Sequence, residues 1–403
     1  MGDEIGIDHD VVTLRVDGKD VLAAEQYDIR INMFTIPAQF SLTLGSTGAV
    51  SDLIQATPPN APFELMIDDI VQFRGRIDGH ASRGSGTDGA TLTVHGRDRL
   101  APLHDAFIED EKSLTDVTYV ELVQTALNKA MPNEKPQLGF DNNANRQAVS
   151  GASKRTSGKN AAARVTQIAG AGGPDQSAGQ NTIQCRIGSR WYDGLIKTEL
   201  DRGGLTIQCL ADGTFLLSSP DTSQASSYRL LRKFENPEIT DILTHDFVHD
   251  TSTRFSKIVV HFRSGGGDQP RTRAFGQADD FEIGKVLEIT RPCVIQDHKC
   301  KSLVQADYLA RRKLAESRRN GWSLTYTVAG HTTIGITGDR MVWAIDTIVD
   351  VDDDVLNISD KFYVEGVRFI GAPEKRTELH LMRLEDLLFG DPEQGPVDTV
   401  PKS

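Results

Sequence analysis

No stretch of the chain approaches the roughly 18 consecutive apolar residues that a membrane-crossing helix needs, so no membrane anchor is expected. Met1 to Asp10 carries four acids and no apolar core, which excludes the basic-then-apolar plan of a secretory leader. Cysteine is scarce: Cys185, Cys209, Cys293 and Cys300 are too few and too scattered to staple 403 residues, and reduced thiols formed in a cytoplasm are expected. Basic residues are in deficit, 44 against 57 acids, and the resulting charge of −13 repels a phosphate backbone. General nucleic-acid binding is thereby disfavoured, whereas an acidic wall lets DNA slide past. Aromatics make up only 6% of the chain while glycine occurs 36 times, a balance that favours many turns over large aromatic cores.

What is present is a mainly β pattern, in a chain long enough for about two to four domains. Apolar residues alternate at Val12, Leu14, Val16; Tyr27, Ile29, Ile31; Phe40, Leu42, Leu44; Phe63, Leu65, Ile67; and Leu92, Val94. Turn formers separate these runs at Asp17-Gly18, Gly45 to Gly48, Pro58-Pro59-Asn60 and Gly84 to Gly89, so residues 1–103 read as an antiparallel meander closing into a barrel.

Helical spacing follows, with Thr118 and Glu121 as a capping box ahead of Val120, Val123, Leu127 and Met131, and Pro132 as a stop. Residues 104–232 are read as an α+β domain holding a loop insertion over 133–180 that encloses a short helix at 160–169. Ser189 precedes a further helix through Trp191, Leu195 and Leu200, and Asp212-Gly213 turns a hairpin. The last third returns to strands at 258–262, 286–290, 322–329, 341–351, 361–369 and 377–383. One helix, Leu303 to Arg318, interrupts them with Leu303, Ala306, Ala310, Leu314 and Ser317 on one face.

Motifs that could carry chemistry do not survive their context. Gly84-Ser85-Gly86-Thr87-Asp88-Gly89 spells a dinucleotide fingerprint, but Ala90-Thr91-Leu92-Thr93-Val94 follows where a helix is required, so a hairpin loop is expected. Gly158-Lys159 lacks phosphate-loop spacing. Cys293, His298 and Cys300 lack a fourth zinc ligand, and His245 with His249 lacks the rest of a zinc-hydrolase motif. Arg311, Arg312, Lys313, Arg318 and Arg319 have no interleaved aromatics and read as a solvated or subunit-contacting face. The three tryptophans, Trp191, Trp322 and Trp343, sit in apolar patterns and read as core. No catalytic, cofactor or metal residues are assigned. The one candidate site is the acidic cluster Asp350, Asp352, Asp353 and Asp354, read as a solvated loop or as the lining of a channel or interface.

Three stretches carry a family resemblance: Val12-Thr13-Leu14-Arg15-Val16-Asp17-Gly18-Lys19, Val94-His95-Gly96-Arg97-Asp98-Arg99-Leu100, and the block opening Arg254-Phe255-Ser256-Lys257-Ile258-Val259-Val260. In that block Arg291-Pro292, the Ala- and Arg-rich helix, Trp322 to Val328 and Phe362-Tyr363-Val364-Glu365-Gly366-Val367-Arg368-Phe369 follow in order. The order of modules resembles the baseplate hub family of contractile-tailed phages, Mu-like and P2-like, related to the N-terminal module of type VI secretion VgrG spikes. The resemblance implies two similar β-barrel, tube-like domains, at 1–103 and at 233–265 with 336–392. It also implies two peripheral α+β domains, at 104–232 and 266–335, with 393–403 as a tail.

It further implies a homotrimer in the virion, assembled in the host cytoplasm, whose six barrels join a six-fold tube to a three-fold spike. The implied partners are the tail tube or its initiator, a central spike protein and other baseplate proteins, with DNA passing through unbound. A net-acidic channel wall is expected. The Pro-containing stretch after Gly390 offers no repeated-strand needle, so a separate spike is expected. The rivals are a type VI or extracellular injection component or tailocin, and a hub-associated cell-wall hydrolase.

Overall fold

The computed structural model describes residues 10–387 except 24–25, 47–49, 86–88, 111, 116, 118, 141–181, 204, 221, 223, 236–239, 265–271, 298–299 and 301–302. The helix expected at 160–169 lies outside the described residues. The first half is built from β1 (Val12–Val16), β2 (Lys19–Ala23), β3 (Gln26–Asn32), β4 (Gln39–Ser46), β5 (Pro62–Ile67), β6 (Ile70–Ser85) and β7 (Gly89–Asp98), with α1 (Val50–Ala56) between β4 and β5. Alternation in β1 buries Val12, Leu14 and Val16 on one face. Two tight turns set the local register: Asp17-Gly18 and Asp68-Asp69 both hold positive φ at their two central residues, the twist that suits a two-residue hairpin. At the centre Phe63 packs edge-on against Phe40 and Phe73, with ring centroids 4.7 and 5.7 Å apart. Each such buried ring contributes about 1.5–3 kcal/mol. The two ends of the glycine-rich stretch pair antiparallel, Ser85 with Gly89, so a strand rather than a helix follows the glycines, as its sequence context requires.

A second core belongs to α2 (Ala101–Asp105), β8 (Lys112–Thr115), α3 (Tyr119–Ala130), β9 (Leu138–Phe140), β10 (Thr182–Cys185), a π-turn at Tyr192–Ile196 leading into α4 (Lys197–Gly203), β11 (Thr206–Cys209) and β12 (Phe215–Ser218). The amphipathic α3 buries Tyr119, Leu122, Val123, Ala126 and Leu127. Asp212-Gly213 turns β11 into β12 with Gly213 at φ +88, and the Asp212 carboxylate accepts the Thr214 N–H.

The chain then returns to strands: β13 (Ser226–Arg232), β14 (Ile242–His249), β15 (Lys257–Ser264), β16 (Thr272–Asp279), β17 (Pro292–Gln296), α5 (Leu303–Asn320), β18 (Trp322–Ala329), β19 (Thr332–Ile334), β20 (Arg340–Val342), β21 (Thr347–Asp353), β22 (Ile358–Gly371) and β23 (Arg376–Arg383). The ladders sort these strands differently from the boundaries read in the sequence. β13 and β18 belong to the large sheet, whereas β15 pairs with β16 and β17 in a small sheet that α5 covers. Short strand-like runs carry no record of their ladder partner, which is why the boundaries at 233, 265 and 336 move. Residues 286–290 are not a strand either. Val286 closes a π-turn at Glu282–Val286, and Glu288 holds φ +53, which a pleated strand excludes. The run 341–351 is broken by Asp346 at φ +59.

The mainly β plan stands, with α+β insertions and two like strand-built halves. The first half runs β2-β1-β5-β6-β7-β4-β3 and the second β13-β21-β22-β23-β18-β14. Matching β1, β3, β4, β5, β6, β7 to β13, β14, β18, β21, β22, β23 makes the two orders identical, although β13 pairs β21 in parallel where β1 pairs β5 antiparallel. The repeat extends to register. Across four strands, Gly79, His95, Ser41 and Asp28 stand opposite one another in turn, as do Gly366, His380, Thr325 and Asp246. A bulge precedes the glycine in each half, at Ile77/Gly79 and Val364/Gly366. Neither half closes on itself among the described residues. Instead β3 hydrogen-bonds to the far end of β22, from Gly366↔Asn32 to Gly371↔Tyr27, and makes one 13-stranded sheet of both.

Candidate functional site

The acidic cluster lies at the end of β21, and the parallel pairing with β13 decides its chemistry. Arg229, Leu231 and Arg232 stand opposite Asp350, Asp352 and Asp353. Asp353 is fully buried and accepts Arg232 Nε at 2.8 Å, the Tyr326 hydroxyl at 2.7 Å and the Val355 N–H at 2.8 Å. Burial pushes its carboxyl up, but Arg232 and Tyr326 outweigh burial and hold it below the usual carboxylate range. Asp352 and Asp354 share Lys233 Nζ at 2.6 and 3.0 Å, and Asp350 takes the Ser226 hydroxyl with Lys361 Nζ 3.8 Å away. Only three of the four acids therefore reach a surface. Asp353 departs from the reading of a solvated or channel-facing acid, because a lone carboxylate among Tyr326 and Val351 would be too costly without the guanidinium that β13 supplies.

The joint between the halves is the second constellation. Asp28 on β3 receives a two-pronged contact from Arg368 on β22, Nε at 2.9 Å and Nη2 at 2.8 Å, and a second from Arg30 at 3.0 and 2.7 Å. Arg368 also reaches Glu378 on β23 at 3.1 Å, so one charge network ties three strands. Partial burial pushes the Asp28 carboxyl up, yet the two guanidiniums outweigh it and hold it at about 2. On the buried side the Tyr27 hydroxyl lies 2.6 Å from His331 Nε2, and His331 Nδ1 lies 3.0 Å from Thr377 Oγ1. Thr377 donates its own proton to the Gly330 carbonyl at 2.6 Å, so Nδ1 carries the ring hydrogen and Nε2 accepts from Tyr27. Burial pushes the imidazole down to about 4 and keeps it neutral. Glycines make room for β3: a Cβ on Gly371 would stand 2.3 Å from the Tyr27 ring, and one on Gly366 would stand 2.7 Å from Asn32.

A third lock lies where the chain passes from β14 of the large sheet to β15 of the small one, with Arg254 Nη1 3.3 Å from His249 Nε2 on β14. Arg254 is almost wholly buried and contacts Asp280 at 2.9 Å and Glu282 at 2.8 Å, while Asp280 also takes Arg318 from α5 at 3.1 Å. The Arg254 block was visible in the sequence, but its role as a buried cation was not. Asp28 and Arg368 were missed, since outward charges on a strand look like any solvated edge, and His331 was missed because a lone histidine in a turn gives no sign that it is buried. His245 and His249 fall on β14 rather than on a helix. Among the described residues no group of three or more His, Cys, Asp or Glu could hold a metal, and no helix is long and apolar enough to cross a membrane.

The geometry is that of interlocked sheets, and solved structures share it. The 43 kDa tail protein of prophage MuSo2 from Shewanella oneidensis matches with a TM-score of 0.68 at 16% identity, covering 94% of this chain and 99% of that one. The tail protein from Neisseria meningitidis matches with a TM-score of 0.67 at 21% identity, with the same coverage of both chains. Prophage tail protein gp18 from Listeria monocytogenes matches at 0.52 and 11% identity, over 92% and 94%. No family model matches the sequence, and no curated protein matches it. The chain thus has the fold of phage tail proteins over nearly its whole length, as the hub-family resemblance implied.

Proposed function

We propose that the chain is a non-enzymatic baseplate hub of a contractile phage tail, a homotrimer that fits a six-fold tube to a three-fold spike and leaves a passage for DNA. The observation that carries this reading is the repeated strand order, with the Gly-His-Ser/Thr-Asp register kept across four strands in each half. A ring of three such chains presents six like sheets on one face, and any other part of the chain only three times, which is what adapting one symmetry to another demands. The shared fold of phage tail proteins supports the virion as its place and tube, spike and other baseplate proteins as its partners. In this reading DNA passes without binding, since the chain carries −13 charges, and Asp350, Asp352 and Asp354 are offered as acids facing the passage or a subunit contact. Native mass measurement tests it: three copies support the hub, and a single copy at every concentration contradicts it.

A further inference from the structure

The joint between the halves leaves two strands waiting for a partner. Because the halves repeat, every contact that β3 makes on β22 has a counterpart, formed by β14 on β6. The counterpart is absent among the described residues: β14 is one end of the ladder, and β6 is covered by β5 and its flanking residues only as far as Ile77. Both free segments are exposed. Leu243, Phe247 and Val248 on β14 are 50%, 39% and 46% accessible, and Ala81 to Gly84 on β6 are exposed as well. An apolar, unpaired strand edge of this kind is normally blunted or paired.

We infer that β14 of one copy pairs antiparallel with the 79–84 end of β6 in the next copy, in the register that β3 uses on β22. The register follows by counting. Ile370, four residues beyond Gly366, stands opposite Asp28. Its counterpart four residues beyond Gly79 is Arg83, and the counterpart of Asp28 is Asp246. Asp246 therefore faces Arg83, Val248 faces Ala81 and His245 faces Gly84.

Three features of the residues fit this pairing. Asp246 and Arg83 are exposed unlike charges, and neither has an ion partner among the described residues. Placed opposite one another across the joint they reproduce the Asp28–Arg368 tie with the arginine shifted by two positions. Gly84 repeats Gly371, whose missing side chain admits Tyr27, and so leaves room for His245. Gly79 repeats Gly366, yet no described residue comes nearer than 3.4 Å to where its Cβ would stand. Its crowding neighbour is then supplied by the next copy. Head-to-tail pairing of the β14 edge with the uncovered segment of β6 in the next copy closes a ring when the rotation allows. With three copies the ring has six joints, three within chains and three between them.

This inference rests on the hub reading, and the test separates the two. Val248→Cys combined with Ala81→Cys is oxidised in the full-length assembly, beside each single variant and beside the off-register pair Val248→Cys with Arg83→Cys. Opposed residues in antiparallel strands lie within disulfide reach, so the in-register pair is expected to give covalent multimers ending at three copies, at ~10-fold the yield of the off-register pair. In parallel, Asp246→Arg is expected to shift the native mass toward single copies, and adding Arg83→Asp to restore the multimer. Multiple copies by mass with no in-register cross-link and no charge-swap rescue would overturn the joint while leaving the hub. A chain that stays single under every condition would overturn both.

Discussion

At the scale of single residues, the joint is held by groups whose protonation the fold has fixed, and acid tests this. His331 is neutral in the fold with its titration lowered from 6.5 to about 4, so between those values the unfolded chain binds the extra proton. Stability from this residue is complete above pH 6.5 and is lost as pH falls toward 4, by up to about 3 kcal/mol. Asp98 works in the opposite sense. It is buried while accepting the Ala38 and Leu100 N–H groups, and burial raises it from 3.8 to about 7, so its contribution declines as pH rises through that range. Chemical denaturation of His331→Gln and Asp98→Asn across pH 4 to 7 separates the two. Relative to the parent, the first variant is expected to improve as pH falls and the second as pH rises; parallel curves would contradict both assignments.

Arg254 gives a second residue-scale prediction. Removing it leaves Asp280 buried beside Arg318 alone, and Arg254→Leu should cost about 3–5 kcal/mol, as uncompensated buried charges do. Equilibrium unfolding of R254L and of the double variant with Asp280→Leu checks this. The double variant should recover most of the loss, and a single-variant cost under 1 kcal/mol would show that the pair is not a lock.

At the scale of elements, glycines mark where backbones meet. A Cβ on Gly276 of β16 would fall 2.3 Å from the Asp307 nitrogen and 2.8 Å from the Ala306 side chain, so α5 lies directly on that strand. Gly276→Ala should lift α5 from the small sheet at a cost of about 1–3 kcal/mol, read as faster amide exchange in 303–320 and 257–264 with the large sheet unchanged. Unaltered exchange in α5 would refute this contact.

The elements themselves were largely legible. Helical spacing found α5 and α3, period-two alternation found most strands, and Asp17-Gly18 and Asp212-Gly213 turned where their chemistry required. Residues 286–290 misled because Val-Leu-Glu-Ile-Thr alternates like a strand while Glu288 takes a positive φ that alternation does not reveal. Ladder membership was hidden for a different reason. β13 and β15 have the same local character, but β13 pairs with β21 more than a hundred residues away in the large sheet, while β15 pairs with its near neighbours β16 and β17 in the small one. The acidic cluster was visible as a cluster, but its neutralisation by Arg229, Arg232 and Lys233 needed the parallel ladder to bring those cations alongside.

At the scale of the whole molecule, two halves of unlike sequence repeat one strand order because the shared constraint is register rather than identity. Gly79 and Gly366 each stand opposite a histidine after a bulge, while the residues between them differ freely. That economy made the repeat hard to see in the sequence, where Gly79-His-Ala-Ser-Arg-Gly84 and Gly366-Val-Arg-Phe-Ile-Gly371 share little but their ends. It also suits the proposed role, because faces that differ in chemistry but agree in backbone can pair with one another around a ring. Averaged end-on images of the native particle put this most directly. The account predicts six strand-built lobes of similar size around an open centre, contributed by three chains. A solid particle, or lobes that fall into a number other than six, would contradict it.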